Sequence, residues 1–329
     1  VHLHIPVDIW AAPAKEDWFT PSTYRPPTAV FDRRAVQRAA EALIAAEYPI
    51  LLAGSGVRMG RAWEQLRALA ELLPARVATT PRAKGVFPED HSLSLGVMGT
   101  GGHWEAKSMI FGDRVDVLFT AAAALDETTT LNWAPQFRPS KALIQLDIDP
   151  GQVGRNYPVD IPLMGDVQTI LTELLYQLHR NLRDGMRPAS KWSEEPPLTR
   201  GHRRYLEPHL RQDSRVPVTP QRWRAELSEL LPPDAIVFSD VGGHMLFNIQ
   251  DLRLRAGQHF ALNFGFASMG HGTCAPIGAA LASPNRRVVA IIGDACFAMN
   301  GFELRTAVEY DVPVIWIVEN NNMQGITWH

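Results

Sequence analysis

The chain has 329 residues, 46% of them apolar and 20% charged, and a formal net charge of −3. At roughly 150 residues per domain this predicts about two ordinary globular domains. The charge balance excludes a binder that neutralises nucleic-acid phosphates with a strongly basic face, and no apolar stretch approaches the ~18 residues of a membrane helix.

The first nine residues alternate like a strand, with Val1, Leu3 and Ile5 on one side, until Pro6. No initiator Met and no basic signal region precede them, so the chain reads as beginning inside a larger fold. Residues 11–29 hold Pro13, Pro21, Pro26 and Pro27 and read as a linker. From residue 30 to 182, helix and strand patterns alternate. Helices are predicted over 34–46, 63–73 and 167–179. Strands are predicted over 49–53, 76–79, 115–120 and 142–148, the first ending in Gly54-Ser55-Gly56. Residues 183–219 are Pro-rich and charged and form a second linker, with a helical turn over 203–210. From residue 220 to 329 the alternation resumes, with helices over 221–231, 273–282 and 302–310 and strands over 235–239, 288–292 and 314–318. Apolar strands separated by helices predict an α/β protein of two doubly wound parallel-sheet domains, the second of them incomplete. Cys274 and Cys296 are too few for a disulfide framework or a four-cysteine zinc site and fit a reducing, cytoplasmic compartment.

The chemistry-bearing stretch is Gly293-Asp294 after one strand and Asn320-Asn321 after the next. Gly293 allows the backbone to turn sharply beside a ligand. Neighbouring parallel strands lie about 4.8 Å apart, so the Asp294 carboxylate and the Asn321 amide oxygen can meet. With the Met323 carbonyl they make an oxygen donor set suited to Mg²⁺, leaving room for a diphosphate. Taken singly, Gly-Asp and Asn runs are ordinary turn chemistry. It is their pairing across one helix that points to a metal.

These motifs resemble the signature of thiamine diphosphate (ThDP) enzymes, and residues 265–300 resemble the acetolactate synthase branch. Asp240–Met245 (DVGGHM) is similar to that family's first diphosphate-binding turn. Residues 84–99 and 146–171 are similar to its central domain, and residues 1–9 (1–10 as a unit) to the end of its pyrimidine-binding domain. The resemblance implies a central domain at 30–182 and the N-terminal part of a diphosphate-binding domain at 220–329. It also implies that this chain is a fragment: no residue matches the family's ylid-activating glutamate.

The resemblance implies Mg²⁺ ligation by Asp294, Asn321 and the Met323 carbonyl. It places Gly293, Ala295 and Cys296 on one side of the diphosphate and Gly242, Gly243 and His244 on the other, with His244 toward substrate. Met269 would prop the bent cofactor and the Ala267 carbonyl would hold its amino group. Without the resemblance, Met269 reads as core, His244 as a turn residue, Cys296 as a small buried side chain and Asp240 as a cap. Three departures stand out. Ala122-Ala123-Ala124 replaces a Gly-Ala-Arg that helps hold flavin, which argues against FAD and leaves a vestigial or ADP-type site as the alternative. Glu319 replaces an apolar residue, and Asn322-Met323 an acidic pair.

The implied reaction is ThDP- and Mg²⁺-dependent decarboxylation of a small 2-oxo acid, with carboligation of the resulting enamine to an acceptor. The site would lie between subunits of a homodimer or homotetramer. The alternatives are another ThDP branch (2-oxo acid decarboxylase, sulfoacetaldehyde acetyltransferase, cyclic-dione hydrolase) or a non-catalytic cofactor-binding subunit. A nicotinamide oxidoreductase is disfavoured, because no G-x-G-x-x-G with a following acidic residue is in place.

Overall fold

Strand formation in this chain is driven by short, almost wholly apolar runs that are buried on both faces, and such runs pair in parallel under covering helices. The computed structural model describes residues 3–13, 19–20, 23–24, 31–195 and 204–327. Two units separate, residues 1–30 and 31–329.

In the first unit the expected strand over residues 1–9 does not form. Residues 3–13 instead carry a turn in which the Ile9 amide donates to the Pro6 carbonyl (3.1 Å) and the Ala12 amide to Ile9 (3.1 Å). A strand needs a neighbour, and here Pro6 withholds its amide and its carbonyl is spent within the turn. Val1, His2 and much of the 11–29 linker, with Pro21, Pro26 and Pro27, lie outside the described residues.

The second unit holds two parallel sheets. The first interleaves helices α1 (Arg33–Ile44), α2 (Ser55–Met59), α3 (Trp63–Leu72), α4 (Trp104–Ile110), α5 (Glu127–Thr130) and α6 (Val167–Arg183) with six strands. These are β1 (Ile50–Ala53), β2 (Arg76–Thr79), β3 (Ser94–Val97), β4 (Val117–Ala121), β5 (Ala142–Asp147) and β6 (Ile161–Met164). Their order is β3-β2-β1-β4-β5-β6, all parallel. This is the doubly wound order, whose direction reverses between β1 and β4. Helices α1 and α6 begin on Asp32 and Asp166, whose carboxylates cap the amides of Arg34 (2.8 Å) and Thr169 (2.8 Å).

The second sheet is built from α7 (Pro220–Leu230), β7 (Ile236–Ser239), α8 (Gly243–Asp251), β8 (His259–Leu262), α9 (His271–Ala282), β9 (Val288–Gly293), α10 (Asp294–Asn300), α11 (Leu304–Glu309) and β10 (Val314–Glu319). Its order is β10-β9-β7-β8, again parallel, with the reversal between β7 and β9. The sequence expectation for 302–310 resolves into a 3₁₀ turn over Gly301–Glu303 followed by α11. Three strands carry no expectation from sequence. One, β6, contains Pro162, which is tolerated because β6 is an edge strand.

Polar side chains tie the two sheets together. Arg58 donates to the carbonyls of Arg82 (3.2 Å), Lys84 (2.6 Å) and Phe260 (2.5 Å). Buried Lys84 pairs with Glu89 at 2.6 Å, and Glu89 accepts the Leu254 amide at 2.9 Å. His103 accepts the Val97 amide on Nδ1 (2.7 Å) and donates from Nε2 to the Gln250 carbonyl (2.9 Å). The described parts of 183–219 are mostly exposed but anchored at a few points. Trp192 is buried and donates to Pro49, and a 3₁₀ turn forms over Pro208–Gln212 rather than 203–210. Pro196, Pro197 and Arg203 lie outside the described residues, as do Trp328 and His329.

Candidate active site at the β7/β9 switch point

A parallel sheet offers a crevice where its strand order reverses, at the carboxyl ends of the flanking strands. In the second sheet those ends are Asp240 to Gly242 after β7 and Gly293-Asp294 after β9. The register places Glu319, the last residue of β10, beside Gly293. Every sequence-derived candidate lies in the turns around this crevice or the loop entering α9.

Asp294 opens α10. Its Oδ1 accepts the Ala295 amide (2.8 Å) and its Oδ2 accepts the Asn322 amide (2.9 Å). The carboxylate is therefore joined to the turn that carries Asn321 and Met323. In that turn Asn321 Oδ1 accepts the Met323 amide (3.1 Å), and Asn322 takes a left-handed φ of 55°. Asn321 and Met323 are exposed. Each of these oxygens keeps a free lone-pair direction, so a carboxylate, an amide oxygen and a nearby carbonyl form a donor set that fits a small hard cation. Among the described residues no group of three His, Cys, Asp or Glu side chains is gathered, so a cation here would rely on amide and carbonyl oxygens.

Across the crevice, Gly242 caps α8 with φ 152° and ψ −174°, a region open essentially to glycine. A Cβ there would stand 2.9 Å from the His244 ring, whereas one on Gly243 would meet nothing within 4 Å. The first turn of α8 thus presents open backbone, the arrangement that receives an anion. His244 lies against Gly293, whose added Cβ would be 3.2 Å from Nδ1, and its Nε2 is buried without a partner. Burial, reinforced by Arg224, lowers its pKa to about 4, so the ring is neutral at physiological pH.

Cys296 is buried and its thiol donates to the Val241 carbonyl (3.1 Å). Burial raises that thiol to about 11, which leaves it inert as a nucleophile. The Ala295 amide is engaged by Asp294. Ala267 is exposed with φ 56°, and Met269 is half-buried in the turn before α9.

Sequence reasoning understated Asp240. It is fully buried: Oδ1 accepts the Val241 amide (2.7 Å), while Oδ2 accepts the amides of Gly270 (3.0 Å) and Gly272 (2.9 Å). The turn bearing Met269 is thereby pinned to the end of β7, and Asn300 adds a bond to the Gly270 carbonyl (3.3 Å). Arg224 was missed altogether. It is fully buried and bonded to Asn248 Oδ1 (2.6 Å), the His244 carbonyl (3.1 Å) and Glu319. The inward face of α7 is Gln221, Arg224 and Ser228, a polar stripe at helical spacing that was the available signal.

The switch point of the first sheet is different. A Cβ on Gly54 would lie 2.0 Å from the Ala122 carbonyl oxygen, and one on Gly56 would lie 2.5 Å from the Ala122 Cβ. The Gly54 amide donates to Ala121 (2.8 Å) and that of Gly56 to Ala122 (3.3 Å). The backbone of this turn is packed and spent.

A parallel α/β domain with an oxygen donor set and an open helix start at its switch point defines a cofactor-binding fold, and the chain belongs to the thiamine pyrophosphate enzyme family. Residues 36–174 match the thiamine pyrophosphate enzyme central domain, and residues 240–329 match the C-terminal TPP binding domain. More particularly, its relatives carry the name acetolactate synthase. The chain is 32% identical to a probable acetolactate synthase large subunit of Methanocaldococcus jannaschii, over 100% of this chain and 56% of that protein. It is 33% identical to an acetolactate synthase of Mycobacterium bovis (91% and 48%). It is 29% identical to the acetolactate synthase isozyme 3 large subunit of Escherichia coli (91% and 51%). The chain spans about half the length of these curated relatives.

Proposed function

We propose that this chain is the central and cofactor-binding portion of an enzyme that decarboxylates a small 2-oxo acid and joins the remaining fragment to an acceptor carbonyl, with ThDP and Mg²⁺ bound at the β7/β9 switch point. The observation that carries this reading is the junction of the Asp294 carboxylate with the Asn321–Met323 turn, opposite the open start of α8.

The residues support a division of labour. Asp294, Asn321 and the Met323 carbonyl would hold Mg²⁺, which would supply the charge that neutralises a diphosphate. Gly242 and Gly243 let that diphosphate approach backbone amides on the other side. Gly293 keeps the β9 end close to His244, and Cys296 secures the β7 end by its bond to Val241. ThDP supplies, when bound, an electron sink for the carbanion character that develops as CO₂ leaves. Met269, on the turn pinned by Asp240, would support the cofactor when bound, and the Ala267 carbonyl would accept from its amino group. Neutral His244 keeps Nε2 buried and without a partner beside Gly293, and there it would donate to or accept from a substrate oxygen without adding charge.

Packing at the first switch point supports the absence of FAD there. Ala122 adopts φ 50°, a glycine-like conformation, and its own backbone fills the turn. Exposed apolar side chains on the second sheet's helices and loops, among them Phe266, Met299, Phe302 and Val308, support assembly as a homodimer or homotetramer. The two free thiols support a cytoplasmic setting. Among the described residues no helix is long and apolar enough to cross a membrane.

The test uses the full-length protein carrying this sequence, with pyruvate, ThDP and Mg²⁺, and follows CO₂ and products by NMR beside Asp294→Ala. Acetolactate formed by wild type and lost in the variant supports both reaction and metal role. ThDP binding without turnover of pyruvate would refute the donor and leave another 2-oxo acid or another branch of the family. No ThDP binding refutes the enzyme reading in favour of a non-catalytic subunit.

A further inference from the structure

Resting on that reading of the site, we infer that Arg224 and Glu319 are positioning residues: a buried clamp that sets the separation between the diphosphate-side turn at 242–244 and the metal-side turn at 320–323.

The Arg224 guanidinium is wholly buried, and Nη2 reaches both halves of the site at once. It donates to the His244 carbonyl (3.1 Å), on the α8 side, and to the Glu319 carboxylate, which closes β10 immediately before Asn320-Asn321. Nε donates to Asn248 Oδ1 (2.6 Å), and Asn248 Nδ2 donates to Ser239 Oγ (2.9 Å) at the end of β7. Nη1 donates to the Pro220 carbonyl (3.0 Å), fixing the fork to its own helix. The guanidinium carbon lies 4.2 Å from the Trp223 ring centre and 5.4 Å from that of Phe247. One side chain therefore connects three of the backbone segments that surround the crevice.

Only a planar, rigid fork can hold several acceptors at fixed mutual angles; an ammonium is a point charge on a flexible stem. The chain accepts the cost of burying this charge where an apolar residue on α7 would pack more cheaply, and supplies Glu319 to compensate it. Arg224 stands where a hydrophobic side chain is the ordinary solution, the inward face of an amphipathic helix, and Glu319 ends the edge strand β10 beside it. A pair retained at that cost and joined to both cradle turns has geometry as its return.

Lys84–Glu89 provides a matched control. It is even more completely buried, with a 2.6 Å contact, and it joins the two sheets through Leu254, using no residue of the cofactor turns.

The experiment measures binding to the full-length apoprotein, with ThDP titrated at excess Mg²⁺ and Mg²⁺ at fixed ThDP, by equilibrium dialysis. Thermal melting of each apoprotein and kcat at saturating cofactor are recorded alongside. The variants are R224K, R224M/E319L and K84M. Arg224→Lys is expected to raise both dissociation constants by about tenfold or more, with a smaller change in kcat once the site is filled. The double variant removes both charges, so its melting midpoint recovers relative to R224K while its affinity stays weak. Lys84→Met is expected to lower the melting midpoint and leave both constants within about twofold of wild type. Wild-type affinity in either Arg224 variant overturns the clamp. So does recovery of affinity in the double variant, or a loss in K84M equal to that in R224K. Wild-type protein that binds neither ThDP nor Mg²⁺ overturns the underlying reading of the site instead.

Discussion

Replacing Asp240 by Asn changes no shape and removes one acceptor from a carboxylate that has none to spare. The wild-type side chain is fully buried and takes three backbone amides, from Val241, Gly270 and Gly272. Asparagine offers one oxygen. Turned toward Gly270 and Gly272, it leaves its amino group facing the Val241 amide, donor against donor. The loss is then one charge-assisted bond, worth roughly 1.5–3 kcal/mol, together with weakening of the other two as the acceptor becomes neutral. The total is about 3–5 kcal/mol, a large share of the roughly 5–15 kcal/mol that holds a protein folded. The direct assay is hydrogen exchange of the apoprotein. Protection at Val241, whose amide loses its acceptor, is expected to fall by at least about a hundredfold, since each 1.4 kcal/mol is a factor of ten, and protection at Gly270 and Gly272 falls less, as their bonds to a neutral oxygen weaken. ThDP affinity falls with it, because the anchor of the turn bearing Met269 is weakened. Unchanged protection at Val241, with a stability change under about 0.5 kcal/mol, would show that the carboxylate is not the hub of this turn.

Other consequences can be checked in the same way. Gly242→Ala forces a side chain into a glycine-only conformation and against the His244 ring, so it should cost about 1–3 kcal/mol in urea unfolding and weaken ThDP binding; a neutral substitution would contradict the geometry. Burial, aided by Lys84 and Arg204, holds the His103 imidazole well below its ordinary 6.5. The unfolded histidine takes up a proton below pH 6.5 while the folded one does not. The associated stability is thus complete above that pH and declines below it by up to about 1.4 kcal/mol per pH unit. His103→Asn should flatten that slope. Purified full-length protein should carry no flavin chromophore and gain none on titration with FAD; stoichiometric flavin would refute the closed first switch point.

Seven strands could be read from the sequence because each is an apolar run bounded by turn residues, and β2 (Arg76–Thr79) is observed with the bounds expected for it. The three that escaped are all four-residue strands at sheet edges, too short to print a pattern of their own. β6 alternates buried and exposed positions around Pro162, and β3 and β8 are four-residue edges. The inward face of α7 was also missed, although its polar stripe at helical spacing was there to be read, since periodicity arguments assign apolar residues to the core. Here Leu230 is exposed while Arg224 is buried.

The site divides along the same line. That Asp294 meets the 320–323 turn was legible because its partners are local or lie after the next strand, and a turn motif carries that information in a few residues. Asp240 and Arg224 were not, because their acceptors and donors come from segments tens of residues away that meet only through the sheet order. Topology decides what such residues can do. Each sheet has one reversal of strand order, and each reversal is a place for a ligand. At the first, Ala122 and the spent amides of Gly54 and Gly56 occupy the space with the protein's own backbone. At the second, buried charge works beside the apolar cluster of Val241, Met245 and Ile249: Asp240 anchors the turn before α9, and Arg224 joins the His244 carbonyl to Glu319. Apolar side chains would fill the crevice they support, whereas a fully bonded polar network can hold a fixed gap open beside Gly243. The second reversal therefore keeps the open turn at Gly243, and it is there that the proposed cofactor site lies.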